Sequence, residues 1–137
     1  MHAVLEETPD RHQWTFQDLR VTQLLVDPGS FRIQAWHLSA QIELRLGVPF
    51  AFRDLDGRSR VVDPEAPEQV APLLTLVGRS VDAAMISRSG ALAIRFGDGS
   101  TIDIEPHDQF EAWEIQGTGE LAEVNYLCGV GGGSPWG

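Results

Sequence analysis

Carboxylates are the side chains in this sequence with the clearest capacity for chemistry. Arg95 is the last basic residue, and eight carboxylates follow it within a chain of formal net charge −10. Carboxylates can transfer protons, bind divalent ions or attract a cationic partner, and their spacing decides among these roles. The eight are Asp98, Asp103, Glu105, Asp108, Glu111, Glu114, Glu120 and Glu123.

The spacing does not favour acid–base catalysis. Glu111 and Glu114 lie in a strand-like segment, where residues three apart point to opposite faces of a sheet. Cys128, the single cysteine, is followed by glycines and has no neighbouring cation to lower its pKa. The chain has no lysine, which excludes a Schiff-base or general-base lysine. We therefore predict no catalytic residue and a non-enzymatic protein.

A metal site is weakly indicated. His107, Asp108 and Glu111 are residue types that bind divalent ions, and a histidine with a glutamate four positions later shares one helix face. Pro106 precedes this histidine and Glu111 enters a strand-like segment, so helical alignment is not expected. We predict no metal and no cofactor.

The acidic final third is best interpreted as a charged surface. Alternation places Asp103 and Glu105 on one outward face, where Arg95 could pair diagonally with Asp103. Such a surface is either a solvated outer face or a recognition surface that steers a basic protein partner. The residues predicted to bind the partner are Asp103, Glu105, Asp108 and Glu114.

Two alternatives remain open. A small-molecule pocket could form at a sheet corner near Trp36 and His37, although buried packing of the tryptophan is the simpler expectation. An uncharacterised hydrolase could use the region from His107 to Glu111, which would require an acid–base pair within hydrogen-bond reach.

Charge and composition limit the classes of partner. A net charge of −10 opposes a polyanion, so nucleic acid is not expected. The N-terminus lacks the basic and apolar regions of a signal peptide, and no apolar run approaches the roughly 20 residues that span a bilayer. The single cysteine does not indicate an oxidising compartment. We predict a cytoplasmic protein without membrane contact, whose sheet edges leave a homodimer possible.

The chain divides into three parts by composition. Residues 1–13 are polar and lack periodicity, which predicts a flexible leader. Residues 14–127 carry the apolar patterns of a single domain. Residues 128–137 are glycine-rich and are expected to be a mobile tail unless Trp136 docks.

Turn chemistry predicts the hairpins of this domain. The Asp27-Pro28-Gly29-Ser30 turn pairs Val26 with Phe31, and a change of apolar phase requires a break near residues 37–40. At the Gly97-Asp98-Gly99 turn, a three-residue loop with left-handed Gly99 keeps one face apolar by pairing Ile94 with Ile102.

One helix is predicted between the strands. Val70, Leu73, Leu74 and Val77 form an α-helical apolar stripe, with Gly78 suited to the C′ position and Pro72 awkward inside. The predicted fold is α+β, with a mainly antiparallel, meander-like sheet of about seven or eight short strands and one inserted helix packed on one face.

Residues 78–127 carry a resemblance to a known family. The motifs are the GR-x-V strand start, the F-x-D-G-S hairpin and the E-A-W-E-I-x-G segment, and residues 19–36 also look similar. They resemble a family of small proteins of high-GC actinobacteria described as a domain of unknown function. The resemblance implies no catalytic residue and no ligand. By size and layout, the chain also resembles immunity proteins that neutralise toxins.

Overall fold

Residues 3–136, the part of the chain that the computed structural model describes, form twelve strands and one 3₁₀ helix. All pairings between strands are antiparallel. The elements in chain order are β1 (Ala3–Thr8), β2 (Arg11–Phe16), β3 (Arg20–Asp27), β4 (Ser30–His37), β5 (Ala40–Leu46), β6 (Phe50–Arg53), β7 (Ser59–Val62), the 3₁₀ helix (Pro67–Leu76), β8 (Val81–Ser87), β9 (Leu92–Phe96), β10 (Thr101–Ile104), β11 (Trp113–Gly119) and β12 (Asn125–Cys128).

The strands build two sheets whose apolar faces pack together. The seven-stranded sheet has the order β1-β2-β8-β9-β10-β6-β7, and the five-stranded sheet has the order β12-β11-β5-β4-β3. Most strands bury one alternating face, and the buried residues of both sheets form one core. The antiparallel, mainly β character is confirmed, but a single meander sheet of seven or eight strands is wrong. Strands that are distant in the chain are hydrogen-bonded neighbours within each sheet, as β5 is with β11 and β6 with β10.

The hairpins predicted from turn chemistry are confirmed. Val26 pairs with Phe31, and the change of apolar phase falls at the turn between β4 and β5. Ile94 pairs with Ile102, and Gly99 has a φ of 91°, the left-handed conformation that this loop needs. Local turn geometry therefore fixes the register of these pairs.

The helix is present, but it is a 3₁₀ helix rather than an α-helix. With three residues per turn, Val70, Leu73 and Leu76 share the buried face, while Leu74 is 62% exposed and Val77 is turned outward. The predicted stripe is therefore wrong at Leu74 and Val77. No helix among residues 3–136 is both long and apolar enough to cross a membrane.

Residues 3–13 are structured where a flexible leader was predicted. They form β1 and the start of β2, and β2 pairs with β8 in the seven-stranded sheet. Ala3 and Leu5 pack against the core while Val4 and Glu6 between and after them are exposed, and this packing holds β1 in place. The remainder of the predicted leader, Met1 and His2, lies outside the described residues.

The glycine-rich C-terminal segment is also folded against the domain. Cys128 ends β12 and is buried. The Gly131 amide donates a hydrogen bond of 2.8 Å to the His107 carbonyl. Trp136 stacks on His12, with ring centroids 3.8 Å apart and planes 14° from parallel. The sequence did not decide whether Trp136 packs against the domain, and the structure shows that it does.

Candidate functional site

The four carboxylates predicted to bind a partner do not share one surface. Asp103 projects from the outer face of the seven-stranded sheet, and Glu105 is exposed directly after β10. Glu114 lies on the outer face of the five-stranded sheet, on the other side of the molecule. Asp108 is exposed in the loop after Glu105. One flat partner surface cannot cover both outer faces.

The charge environments of these carboxylates also differ. Glu114 lies opposite Arg45 in the neighbouring strand, and its carboxylate is 4.0 Å from the Arg45 guanidinium. Glu111 is also 4.0 Å from Arg45, so this arginine lies between two carboxylates. Among residues 3–136, Asp103 has no ion pair, and the diagonal pair expected with Arg95 is not formed.

Trp36 and His37, considered from the sequence as a pocket, lie at the end of β4. Trp36 is 45% exposed on the outer face of the five-stranded sheet, and neither residue lines a described cavity. The cavity between the two sheets measures only about 20 Å³, room for about one water molecule. It is lined by Phe16, Ile33, Ala35, Ile42, Leu44, Val81, Ile94, Phe96 and Ile115.

The region from His107 to Glu111 shows no acid–base pair. Nδ1 of His107 accepts a hydrogen bond of 3.0 Å from the Gln109 amide, and Glu111 faces Arg45. Within the described residues, no group of three histidine, cysteine or acidic side chains is arranged to hold a metal ion. Cys128 is buried, and this burial raises the pKa of its thiol, which disfavours the thiolate.

Two open depressions share Glu65 in their linings, and together we call them the acidic groove. The larger, of about 610 Å³, lies beside the turn between β3 and β4. The smaller, of about 160 Å³, lies between the end of β5 and the loop after β10. The lining residues are Val26, Asp27, Pro28, Gly29, Glu65 and Pro67 in the larger depression, and Gly47, Val48, Pro49, Asp63, Glu65, His107 and Phe110 in the smaller.

Turn geometry holds the Asp63 carboxylate of the acidic groove in place. Asp63 follows β7, and its Oδ1 accepts a hydrogen bond of 3.0 Å from the Glu65 amide. Its own amide donates to Oε1 of Gln69 at 2.9 Å. The Asp63 carboxylate is therefore fixed beside Glu65, as an aspartate that starts a turn commonly is.

The electrostatic balance of the acidic groove is negative. Its described lining contains three carboxylates, from Asp27, Asp63 and Glu65, and no arginine. Asp27 is neutralised by Arg32 at 2.9 Å, whereas Asp63 and Glu65 have no ion pair among residues 3–136. Proline, valine and phenylalanine side chains flank these charges. Such a lining suits a cation on an aliphatic stem.

A second cluster, the aromatic cluster, joins the two sheets at one edge. It consists of His12 and Trp14 from β2, Tyr126 from β12 and Trp136 from the C-terminal segment. The Trp14 indole donates a hydrogen bond of 2.8 Å to the Tyr126 hydroxyl, which lies 2.8 Å from Nδ1 of His12. Because the indole can only donate, the hydroxyl is the acceptor of that bond, and its own proton stays available for a further hydrogen bond.

Burial in this cluster shifts the acidity of Tyr126. Burial raises the pKa of the phenol, the hydrogen bond from Trp14 acts in the opposite direction, and the charge of Glu7 raises it further. Sequence reasoning missed the cluster because the start of β2 was taken as the end of a leader. The period-two pattern of His12, Trp14 and Phe16 is the sequence feature that indicates it.

The fold and the acidic groove define a small, two-layered antiparallel β protein with an open acidic surface depression. The model of a family of unknown function, DUF6188, matches residues 13–134, and the chain belongs to this family. The match includes the carboxylates of the acidic groove and most of the glycine-rich C-terminal segment. Neither a curated protein nor a solved structure matches the chain.

Proposed function

We propose that this protein is a non-enzymatic interaction protein that binds a basic segment of a partner protein in the acidic groove. The observation that carries the proposal is the groove lining. Asp63 and Glu65 lack a counter-charge there, and the residues described as lining the groove include no arginine. A cationic side chain from a partner supplies the missing charge, and the apolar flanks cover its aliphatic stem. An immunity- or antitoxin-like inhibitor of a basic toxin is the most concrete form of this function.

The nearest arginines do not neutralise the groove. Arg32 is occupied by Asp27 and by Glu43 at 3.4 Å. Arg45 approaches Gly47 at the edge of the smaller depression, but it lies between Glu111 and Glu114. Both arginines therefore have acidic partners of their own, and Asp63 and Glu65 are left to attract an external cation.

The proposal is tested with a fluorescently labelled peptide of alternating arginine and glycine and an acidic counterpart of equal length. We expect the basic peptide to bind and the acidic one not to bind, with an affinity that falls as salt is added. The double variant Asp63→Asn and Glu65→Gln should weaken binding about fivefold to tenfold, because each exposed charge pair contributes roughly 0.2–1 kcal/mol. The asparagine introduced in place of Asp63 can still accept the amide hydrogen bond of the turn through its side-chain carbonyl.

The matched control removes the same charge elsewhere. Glu6→Gln with Glu123→Gln changes two exposed carboxylates that lie outside the groove lining. This control should change the affinity less than about twofold. Equal losses in the two double variants would contradict the groove and indicate attraction by net charge alone.

A further inference from the structure

We infer that the acidic groove selects arginine over lysine, with the Phe110 ring as the surface on which the guanidinium stacks. This inference rests on the proposed function and adds the chemistry of the recognised side chain. It comes from the smaller depression, which holds an aromatic ring and unpaired carboxylates together.

Phe110 is presented to solvent by a fixed loop. Its side chain is 57% exposed, although a phenylalanine is normally buried. The ring lies against the His107 ring, with centroids 5.2 Å apart and planes tilted by 44°. His107 is held on both sides, because its Nδ1 accepts from the Gln109 amide and its carbonyl accepts from the Gly131 amide. The aromatic surface is therefore positioned before a partner arrives.

The carboxylates line the same depression as this ring. One oxygen of Asp63 accepts the Glu65 amide, which leaves its other oxygen and the Glu65 carboxylate for an incoming donor. A guanidinium is planar, has five N–H donors and is weakly hydrated, so it can stack on a ring and donate to carboxylates at its edge.

Lysine lacks this combination. Its ammonium is a compact, strongly hydrated charge that gains the carboxylate attraction but loses hydration when it is placed against an aromatic face. The carboxylates alone would attract both residues equally at a distance. The preference for arginine therefore depends on Phe110, and the attraction of either cation depends on Asp63 and Glu65.

The test compares two labelled peptides of equal length and charge, one alternating arginine with glycine and the other lysine with glycine, by fluorescence anisotropy. We expect the arginine peptide to bind about threefold to tenfold more tightly, the effect of one cation–π contact. Phe110→Leu should remove this preference while the lysine peptide keeps its affinity, and Phe110→Tyr should keep the preference. Trp36→Leu, which changes an exposed aromatic residue outside the groove, is the control and should leave it intact.

Each outcome separates this inference from the proposed function. Equal affinity of the two peptides, lowered by the Asp63 and Glu65 changes, overturns arginine selection and leaves the basic-partner function standing. Equal loss of both peptides in Phe110→Leu also overturns it, because the ring then only shapes the groove. Failure of both peptides to bind the wild-type protein overturns both proposals.

Discussion

At the scale of the residue, one phenol oxygen joins segments that are far apart in the chain. The Tyr126 hydroxyl accepts from Trp14 and lies beside His12, more than a hundred positions away in sequence. Neither partner could be predicted from the sequence around Tyr126, because the contacts depend on how β2 and β12 are brought together by the packing of two sheets. Tyr126 is only 5% exposed, so little water is at hand to replace its hydrogen bonds.

Replacing Tyr126 by phenylalanine should destabilise the protein. The change keeps the ring but leaves the Trp14 indole N–H and the His12 ring nitrogen without their partner. Leaving one buried polar group unsatisfied costs roughly 1–3 kcal/mol. Urea unfolding followed by tryptophan fluorescence measures the loss, and a free energy of unfolding unchanged from the wild type would contradict the hydrogen bonds.

The same variant should alter the response to alkaline pH. The pKa of Tyr126 is raised in the folded protein above its ordinary value of 10.0, mainly by burial. The stability that depends on the neutral phenol is therefore fully present below about pH 10 and is lost as the pH rises through the folded-state pKa.

Tyr126 is the single tyrosine, so phenolate absorbance reports it directly. Tyr126→Phe should show a shallower loss of stability than the wild type as the pH rises from about 10 to about 12, above the free phenol value. Equal slopes would contradict this assignment.

At the scale of the element, local chemistry predicted the hairpins well and the helix only in part. Turn residues such as Gly99 fix the register of neighbouring strands, so their pairing is readable from the sequence. The apolar residues of the helix fit two periods. A period of 3.6 residues would bury Leu74, whereas a period of 3.0 buries Leu76, and Pro72 precedes both leucines in the segment. Packing against the core selects the second period, which the sequence pattern alone could not decide.

The period of the helix can be tested with two adjacent leucines. Leu73 is 0% exposed and Leu74 is 62% exposed, whereas an α-helical stripe would bury both. Leu73→Ala should cost about 2–5 kcal/mol because it opens a cavity, and Leu74→Ala should change stability by less than about 0.5 kcal/mol. Chemical denaturation of the two variants measures the difference. Comparable losses at both positions would restore the α-helical interpretation.

The C-terminal segment should stabilise the domain through Trp136. Stacking on His12 covers the aromatic cluster, so Trp136→Ala should lower the free energy of unfolding by at least about 1 kcal/mol, because an aromatic pair contributes about that much beyond the area it buries. Trp36→Ala removes the same side chain from an exposed face and is the matched control, with little expected effect. Equal effects of the two changes would contradict docking of the segment.

At the scale of the whole molecule, the sequence indicated that the protein is mainly antiparallel β, but it did not indicate the order of the strands in the sheets. Alternating patterns predict which face of each strand is buried, but they do not say which distant strand becomes its neighbour. The pairing of β2 with β8 and of β5 with β11 joins segments separated by whole hairpins. The acidic groove was missed for the same reason, because Asp27, Glu65 and Phe110 come from three separate parts of the chain. His107, considered from the sequence only as a metal ligand or as part of a hydrolase site, lines the smaller depression, and it is the nearest that sequence reasoning came to this site.

The net charge of the whole molecule should make its stability rise with salt. Twenty acidic residues face ten arginines, so the folded chain of net charge −10 repels itself at low ionic strength. The described ion pairs are all partly exposed, and screening them removes little stability. Screening the repulsion should therefore dominate between about 10 mM and about 150 mM sodium chloride, where the Debye length falls from roughly 30 Å to 8 Å.

We expect the free energy of unfolding to rise by about 1 kcal/mol over this range of salt, or the melting temperature by roughly 3–5 °C. A fall in melting temperature over this range would show that the ion pairs outweigh the repulsion. The same salt should weaken binding of a basic peptide, so stability and affinity are expected to change in opposite directions as salt is added.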